Sequence, residues 1–479
     1  ALNRPVKLGA VQSFSFGTVK FGASRIPATP NDPDNGTVES VDVTFDLLQL
    51  LLTRRLKLDV TLVNPILYIE QDDQGRWITT KIQPPGKNAP FKTDLDKIRF
   101  RNGNLVLAPS HTKKQLSLAD LNGVADLLEN NELVKYEVGG KAVNGGSIFV
   151  RGETRPQTIQ HKLNLQVEDL LAEDVTTLVK LPIDLQSGKV KKADLDIEAQ
   201  PQQPTLLHGN ATVEGVKAAV ARLPRPFVNA RGSLSFDKTE VKLENVIASY
   251  GKVPLLANGT IDRKTGYNLA ARINEVSAAN VQETLKLKLP VPVIASLNAD
   301  LLVTGEIDSP VLSGQGNTTK TAKIDKVDFD NVGAKFEFLP RLQQITFKDI
   351  QGQATLGGVL TGTGVVTIGQ NPQVNFNVTA KNVSGDAIAQ IYNINPDFQI
   401  GAVAATAQLS GAPGNVQTVV QWQSPNGTYP GTGETTVYSD RSFTFRNVNL
   451  NVAGGKVQAA GRWAWEQWQV TADTSGIPV

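Results

Sequence analysis

Apolar residues fall on alternate positions through the last forty or so residues of the chain. Phe443, Phe445, Val448, Leu450 and Val452 alternate with polar neighbours. Beyond Gly454-Gly455 the pattern resumes at Val457, Ala459, Trp463, Trp465, Trp468, Val470 and Ala472. Successive side chains of a strand point to opposite faces, so such text forms ribbons with one apolar and one polar face. Most of the chain is written this way. Leu234 and Phe236 open an earlier set, continued by Val241, Leu243, Val246, Ala248 and Tyr250, then by Ile261, Tyr267, Leu269, Ala271 and Ile273. Asn-Gly pairs beginning at Asn35, Asn102, Asn258 and Asn426, with 41 glycines in all, supply turn punctuation. The expected fold class is all-β with a few short helices.

The chain divides into six stretches. An N-terminal β module is expected over 1–82, with a Pro/Gly/Lys-rich linker at 83–94. Within the module, the leucine run Leu47–Leu52, interrupted at Gln49, is too short to cross a bilayer and reads as a short helical or buried crossover element. Four β repeats follow over 95–182, 183–290, 291–396 and 397–479, the last cut short. Their endings align as Gln166-Val-Glu-Asp-Leu-Leu-Ala-Glu-Asp-Val175, Arg272-Ile-Asn-Glu-Val-Ser-Ala-Ala-Asn-Val281 and Ala380-Lys-Asn-Val-Ser-Gly-Asp-Ala-Ile388. After each ending a few residues take helical spacing, with Ser277 and Ser384 placed as caps, before breaks at Pro182, Pro290 and Pro396. Repeats at a fixed period build stacked units that bury their faces against neighbours. An elongated, repeat-built antiparallel β-groove follows. About 25 strands spaced at about 4.8 Å would span on the order of 120 Å.

Composition narrows the chemistry. Charged residues make up 20% of the 479 and nearly cancel at +2. The densest basic run, Lys189, Lys191 and Lys192, sits between Asp184 and Asp194, so nucleic acid is not an expected partner. The absence of cysteine removes disulfides, thiolate metal sites and cysteine nucleophiles. No apolar run is long enough to span a bilayer as a helix, and the start at Ala1 reads as a processed or excised portion of a longer protein. His111, His161 and His208 lie in separate segments without metal-ligand spacing, so no metal and no cofactor are expected. Gly362-Thr-Gly364 and Gly431-Thr-Gly433 lack the strand-to-helix setting of a phosphate loop and read as strand-turn glycines. Carboxylates form no paired constellation, and the chain is not expected to be an enzyme.

A resemblance adds to this reading. Leu302-Val-Thr-Gly-Glu-Ile-Asp-Ser-Pro-Val-Leu-Ser-Gly314 and its continuation through Ala322–Phe329 to Phe336 resemble a recurrent phrase of the TamB family, within the AsmA-like group. Leu58-Asp-Val-Thr-Leu-Val-Asn-Pro-Ile-Leu-Tyr-Ile-Glu70, followed by Asp73-Gln-Gly-Arg-Trp77, resembles that family's N-terminal module, closest to its cyanobacterial and plastid branch. Asp120-Leu-Asn-Gly123 and Gly139–Gly152 resemble its early glycine-rich hairpins. The resemblance implies a membrane-associated protein of the cell envelope, periplasmic and anchored in the inner membrane, or at the inner envelope and intermembrane space of a plastid. It implies phospholipid transport in outer-membrane biogenesis. It also implies two contacts through regions beyond this sequence, an N-terminal anchor in the inner membrane and a C-terminal region that meets an Omp85-family outer-membrane protein.

The expected function is that of one segment of an envelope-spanning bridge whose apolar β-groove carries phospholipid between inner and outer membranes. The candidate groove lining is Leu234, Phe236, Val241, Leu243, Val246, Tyr250, Ile261, Tyr267, Leu269, Ile273, Phe443, Phe445, Val448, Leu450, Trp463, Trp465 and Val470. Residues in this pattern also suit the closed core of a sandwich or β-helix, and that alternative stays open on the residues alone. The rival function is a scaffold for outer-membrane protein assembly or protein translocation, acting with an Omp85-type channel by pairing exposed strand edges with client strands.

Overall fold

The computed structural model describes residues 5–30, 32–72, 92–110, 112–178, 183–220, 223, 225–464 and 467–477. Among them are 32 β-strands, four short α-helices and one 3-10 turn, Glu129–Asn131. The all-β expectation holds, and the strands form an open, mostly antiparallel sheet. The chain has two compact units, residues 1–221 with 226–247, and residues 222–225 with 248–479.

The first unit begins with the hairpin Val11–Ser15 and Thr18–Phe21. Three long strands then follow, each bent into two pieces. They are Thr18–Phe21 with Ser24–Ile26, Asn35–Val38 with Ser40–Phe45, and Arg55–Val63 with Ile66–Glu70, paired piece by piece. The last bend falls at Asn64-Pro65, where Asn64 takes φ 48° and proline has no N–H to give the ladder. Both pieces of this strand run parallel to Lys92–Ala108, one along each half of it. From Lys92–Ala108 onward the ladders are antiparallel, through Leu116–Leu128, Leu133–Ala142, Ser147–Arg155, Gln160–Leu171, Ile183–Ala199, Leu206–Val220 and Phe227–Lys238.

In the second unit a single succession of antiparallel neighbours runs from Val253–Asp262 to Gln467–Ser475. The short strands Val293–Ile294 and Ala322–Ile324 form a side ladder at one margin. At about 4.8 Å per strand, this succession measures on the order of 60 Å along the sheet.

Three-residue steps in the apolar alternation are β-bulges. Between Phe445 and Val448 the register shifts by one residue, with Asn447 at φ 53°. The same device stands between Phe347 and Ile350 with Asp349 at φ 50°, and between Ala380 and Val383 with Asn382 at φ 55°. Asn and Asp tolerate the left-handed region better than other non-glycine residues. One extra residue restores the pleat, so Val448 returns to the face of Phe445 instead of flipping to the other side. Asn102-Gly103 is a bulge of this kind, with Asn102 at φ 53° inside Lys92–Ala108, and not the hairpin turn its dipeptide suggests. It bends a strand that continues.

The helices are α1 (Leu47–Thr53), α2 (Ala172–Leu178), α3 (Ala278–Leu285) and α4 (Gly385–Ile391). The last three begin two residues after Leu170, Val276 and Val383, at the aligned phrase endings. Helices this short are not stable alone and depend on caps and packing. Ser277 Oγ accepts from the Asn280 N–H at 3.2 Å, and Ser384 Oγ accepts from the Ala387 N–H at 3.2 Å. On the buried side lie Ala172 and Thr177 of α2, Ala278 and Thr284 of α3, and Gly385 and Ala389 of α4. The leucine run became α1 as expected for a helix, but its leucines are not buried. Of the linker 83–94, residues 83–91 lie outside the described residues, as does His111, while Lys92, Thr93 and Asp94 already belong to the strand Lys92–Ala108.

Removing the Ser384 hydroxyl orphans the Ala387 N–H. Ser384→Ala is expected to cost about 1 kcal/mol locally, read as roughly fivefold faster amide exchange in α4. Unchanged exchange there would mean packing alone holds the helix.

Candidate functional site

In the first unit one face of successive strands is apolar throughout. Ile148 pairs with Val167, Val167 with Ala193, Ala193 with Ala211, and Ala211 with Leu234. One step along, Val150 pairs with Leu165, Leu165 with Leu195, Leu195 with Gly209, and Gly209 with Phe236. Directly opposed residues of an antiparallel pair share a face, so this pairing is a row of neighbours. The row joins a cluster with Leu116, Leu118, Leu170 and Val190, against which Leu234 and Phe236 pack half-buried. α2 closes one margin, where Ala172 is buried with Leu185 and Val216. On the next strand, Glu240–Tyr250, Val241 and Leu243 are half-buried and Val246 is buried, with Asn245 at φ 52° making the three-residue step between the last two.

The second unit repeats the arrangement with larger side chains. Its row runs Ala257, Ala271, Leu301, Gly314, Phe336, Phe347, Gly364, Phe376, Leu409, Thr418, Val437, Phe443, Trp463 and Trp468, each residue opposite the next. Ile261, Tyr267, Leu269 and Ile273 share that face with Ala271, and Phe445, Val448, Leu450 and Val470 share it with Trp463. Tyr250, also in this unit, is half-buried. Burial pushes the Tyr250 and Tyr267 hydroxyls above the usual phenol range, so both stay neutral. Trp465 lies outside the described residues. Val470 is 45% and Trp468 72% exposed, while Val448 is 8% exposed.

Aromatic rings of this face lie on glycines of the neighbouring strand. A side chain placed on Gly364 would strike the ring of Phe376, and Phe347 stacks with Phe376 at a centroid distance of 6.1 Å. A methyl on Gly433 would come within 2.6 Å of the Trp422 indole, and one on Gly461 within 2.6 Å of Phe445. The second glycine of each short Gly-Thr-Gly phrase, Gly364 and Gly433, is therefore a seat for a ring within a strand and not a turn. Phe443 stacks on Trp463 at 5.3 Å.

The opposite face is polar and laced by ion pairs between adjacent strands. Lys97–Asp126 (3.1 Å) and Lys162–Glu198 (3.2 Å) lie in the first unit, Arg272–Asp300 (2.8 Å) and Lys335–Asp349 (2.9 Å) in the second. The pairs are exposed or, at Lys97–Asp126, half-exposed, where such pairs contribute about 0–1 kcal/mol each, so they hydrate this face more than they stabilise it. A shallow concavity of about 770 Å³ on the first unit is lined by Asn102, Asp120, Asn122, Lys141, Gln166 and Glu168 together with Ile148 and Phe149, and so mixes polar with apolar surface. Among the described residues no group of three or more His, Asp or Glu stands together as a metal site.

Face members absent from the sequence-based set include Leu301, Val303, Phe336, Phe347, Phe376, Leu409 and Trp422. Each lies on the same alternation, which runs on through Leu297–Ser424 and is the signal that marks them.

An open β-sheet with one apolar and one polar face defines the class of this protein. The chain is similar to Protein TIC236, chloroplastic, of Arabidopsis thaliana, with 22% identity over 382 residues. That alignment covers 69% of this chain and 18% of the Arabidopsis protein, so the chain spans a small part of its relative. No protein-family model and no solved structure matches.

Gly364→Ala is expected to displace Phe376, break its stacking on Phe347, and cost roughly 1–3 kcal/mol. Gly414, where an added methyl meets nothing within 4 Å, is the control, with Gly414→Ala expected within about 0.5 kcal/mol of wild type. The urea midpoints of the two variants make the comparison, and equal midpoints would contradict the ring-on-glycine packing.

Proposed function

We propose that this chain is a segment of an envelope bridge protein whose apolar sheet face holds phospholipid acyl chains and lets them pass between two membranes. The observation that carries the reading is the register of apolar residues across successive strands within each unit, with Thr418 and the ring-seating glycines Gly314 and Gly364 interspersed in the second. Large exposed apolar surfaces on soluble proteins mark ligands, partners or membranes. Acyl chains gain roughly 0.8 kcal/mol per buried methylene, while their head groups stay in water. Neighbouring strands present the same chemistry, so a lipid displaced by one strand finds an equivalent seat and no deep trap. Movement on such a surface is passive and follows the supply of lipid. No catalytic group takes part in it, and the chain acts without a cofactor.

Similarity to a chloroplastic protein supports an envelope setting in the plastid branch of the TamB-like proteins. There the proposed partners are phospholipid, an inner membrane and, through regions outside this sequence, an Omp85-type channel. The scaffold reading draws on the same similarity. Client strands would then add to exposed sheet edges.

Native mass spectrometry of detergent-free protein, with lipid extraction alongside, tests the first reading. Several phospholipids per chain are expected, and Phe236→Asp with Trp463→Asp should lower that number at least about threefold while the fold is kept, because a buried carboxylate opposes apolar contact. A lipid-free chain, or lipid retained in the double variant, would transfer support to the scaffold. Capture of an Omp85-type protein that survives the same substitutions is the scaffold's own signature.

A further inference from the structure

Apolar side chains gather without cover at one end of the first unit. In the hairpin Val11–Ser15/Thr18–Phe21, Phe14 is 72% and Phe16 91% exposed, with the turn made by Gly17 at φ 92°. The Phe45 N–H donates to the Gly17 carbonyl at 2.8 Å, which sets that tip beside the start of α1. Asp46 caps α1, its Oδ1 accepting from the Gln49 N–H at 3.1 Å. Along the helix Leu48, Leu51 and Leu52 are 68%, 78% and 77% exposed. The spacing i, i+3, i+4 makes them one stripe, and a soluble helix normally turns that stripe inward. Here the inward side holds the half-buried Leu47 and Leu50 instead.

Cations border the stripe. Arg54 ends α1 in the left-handed region at φ 56°, followed by Arg55, and both are exposed and form no ion pair among the described residues. Asp46, the acid of this helix, stands at its opposite end, where it caps the first turn. Leucine and phenylalanine tips bordered by arginine suit an interface whose interior is hydrocarbon and whose surface is anionic.

We infer that the tip formed by Phe14, Phe16 and α1 inserts into the head-group layer of an anionic bilayer, with Arg54 and Arg55 on lipid phosphates. This rests on the lipid-carrying reading above and names how the first unit meets a membrane. A face that loads lipid needs an end held at the acyl boundary, and the tip lies in the same unit as the row from Ile148 to Phe236.

The test is flotation of the full chain with vesicles of phosphatidylcholine alone and with vesicles about one third phosphatidylglycerol. Binding is expected on the anionic vesicles, weakening with salt. Leu51→Asp with Leu52→Asp should reduce it at least about tenfold, and so should Phe14→Ser with Phe16→Ser, a second variant on a separate element. Arg54→Glu with Arg55→Glu should remove the salt dependence. Leu342, 60% exposed in the second unit, is the control, and Leu342→Asp should float as wild type does. Phe16→Trp should add an emission that shifts to the blue on vesicle addition. Undiminished flotation of both tip variants, equal binding to neutral vesicles, or equal loss in Leu342→Asp would overturn the assignment, as would no flotation at all, which would leave the stripe to a protein partner. Co-purified phospholipid separates the two readings. Lipid retained in the tip variants while flotation is lost supports a docking role distinct from carriage, whereas a lipid-free wild type that still floats removes the carriage and keeps the docking.

Discussion

Everything in this fold depends on keeping one side chain in two on the same face through strand after strand. A slip of one residue in any ladder would carry that strand's apolar set into water and its charges inward. The bulges at Asn102, Asp349, Asn382 and Asn447 guard against it, absorbing three-residue steps without changing the face. They also increase local twist, which bends a strand at a chosen point. Asparagine and aspartate recur there because the left-handed conformation penalises them least after glycine.

Glycine does the complementary work across the strands. Gly314, Gly364, Gly433 and Gly461 leave room for the rings of Phe336, Phe376, Trp422 and Phe445, so large aromatic area covers the sheet without standing up from it. The polar face answers different demands, since its exposed ion pairs add little energy and mainly keep a long β-sheet hydrated and its outer side unattractive to other strands.

The two units use the same plan with different weights. In the first, aliphatic residues such as Leu116 and Leu170 are almost fully enclosed and α2 seals a margin. In the second, Val366 and Val374 form a smaller buried cluster, while Phe443, Trp463 and Trp468 leave more ring surface in reach of solvent. Enclosed aliphatic surface thus prevails in the first unit and open aromatic surface in the second.

Period-two patterning was enough to determine the fold class, because alternation is a local property of the strand, whereas the shared face of residues as distant as Ile261 and Phe443 was decided by the register of the ladders between them. The aligned phrase endings likewise marked where α2, α3 and α4 begin, and Ser277 and Ser384 marked their caps. Asn102-Gly103 shows the limit: the same dipeptide serves a hairpin or a bulge, and only the partner strand decides which. The glycine seats were hidden for a similar reason, since Gly364 meets Phe376 through a register that no local pattern reveals. The leucines of α1 are the sharpest case. Their sequence determined a helix, but whether its outer stripe was covered depended on what else packed there, and the tertiary structure left it open.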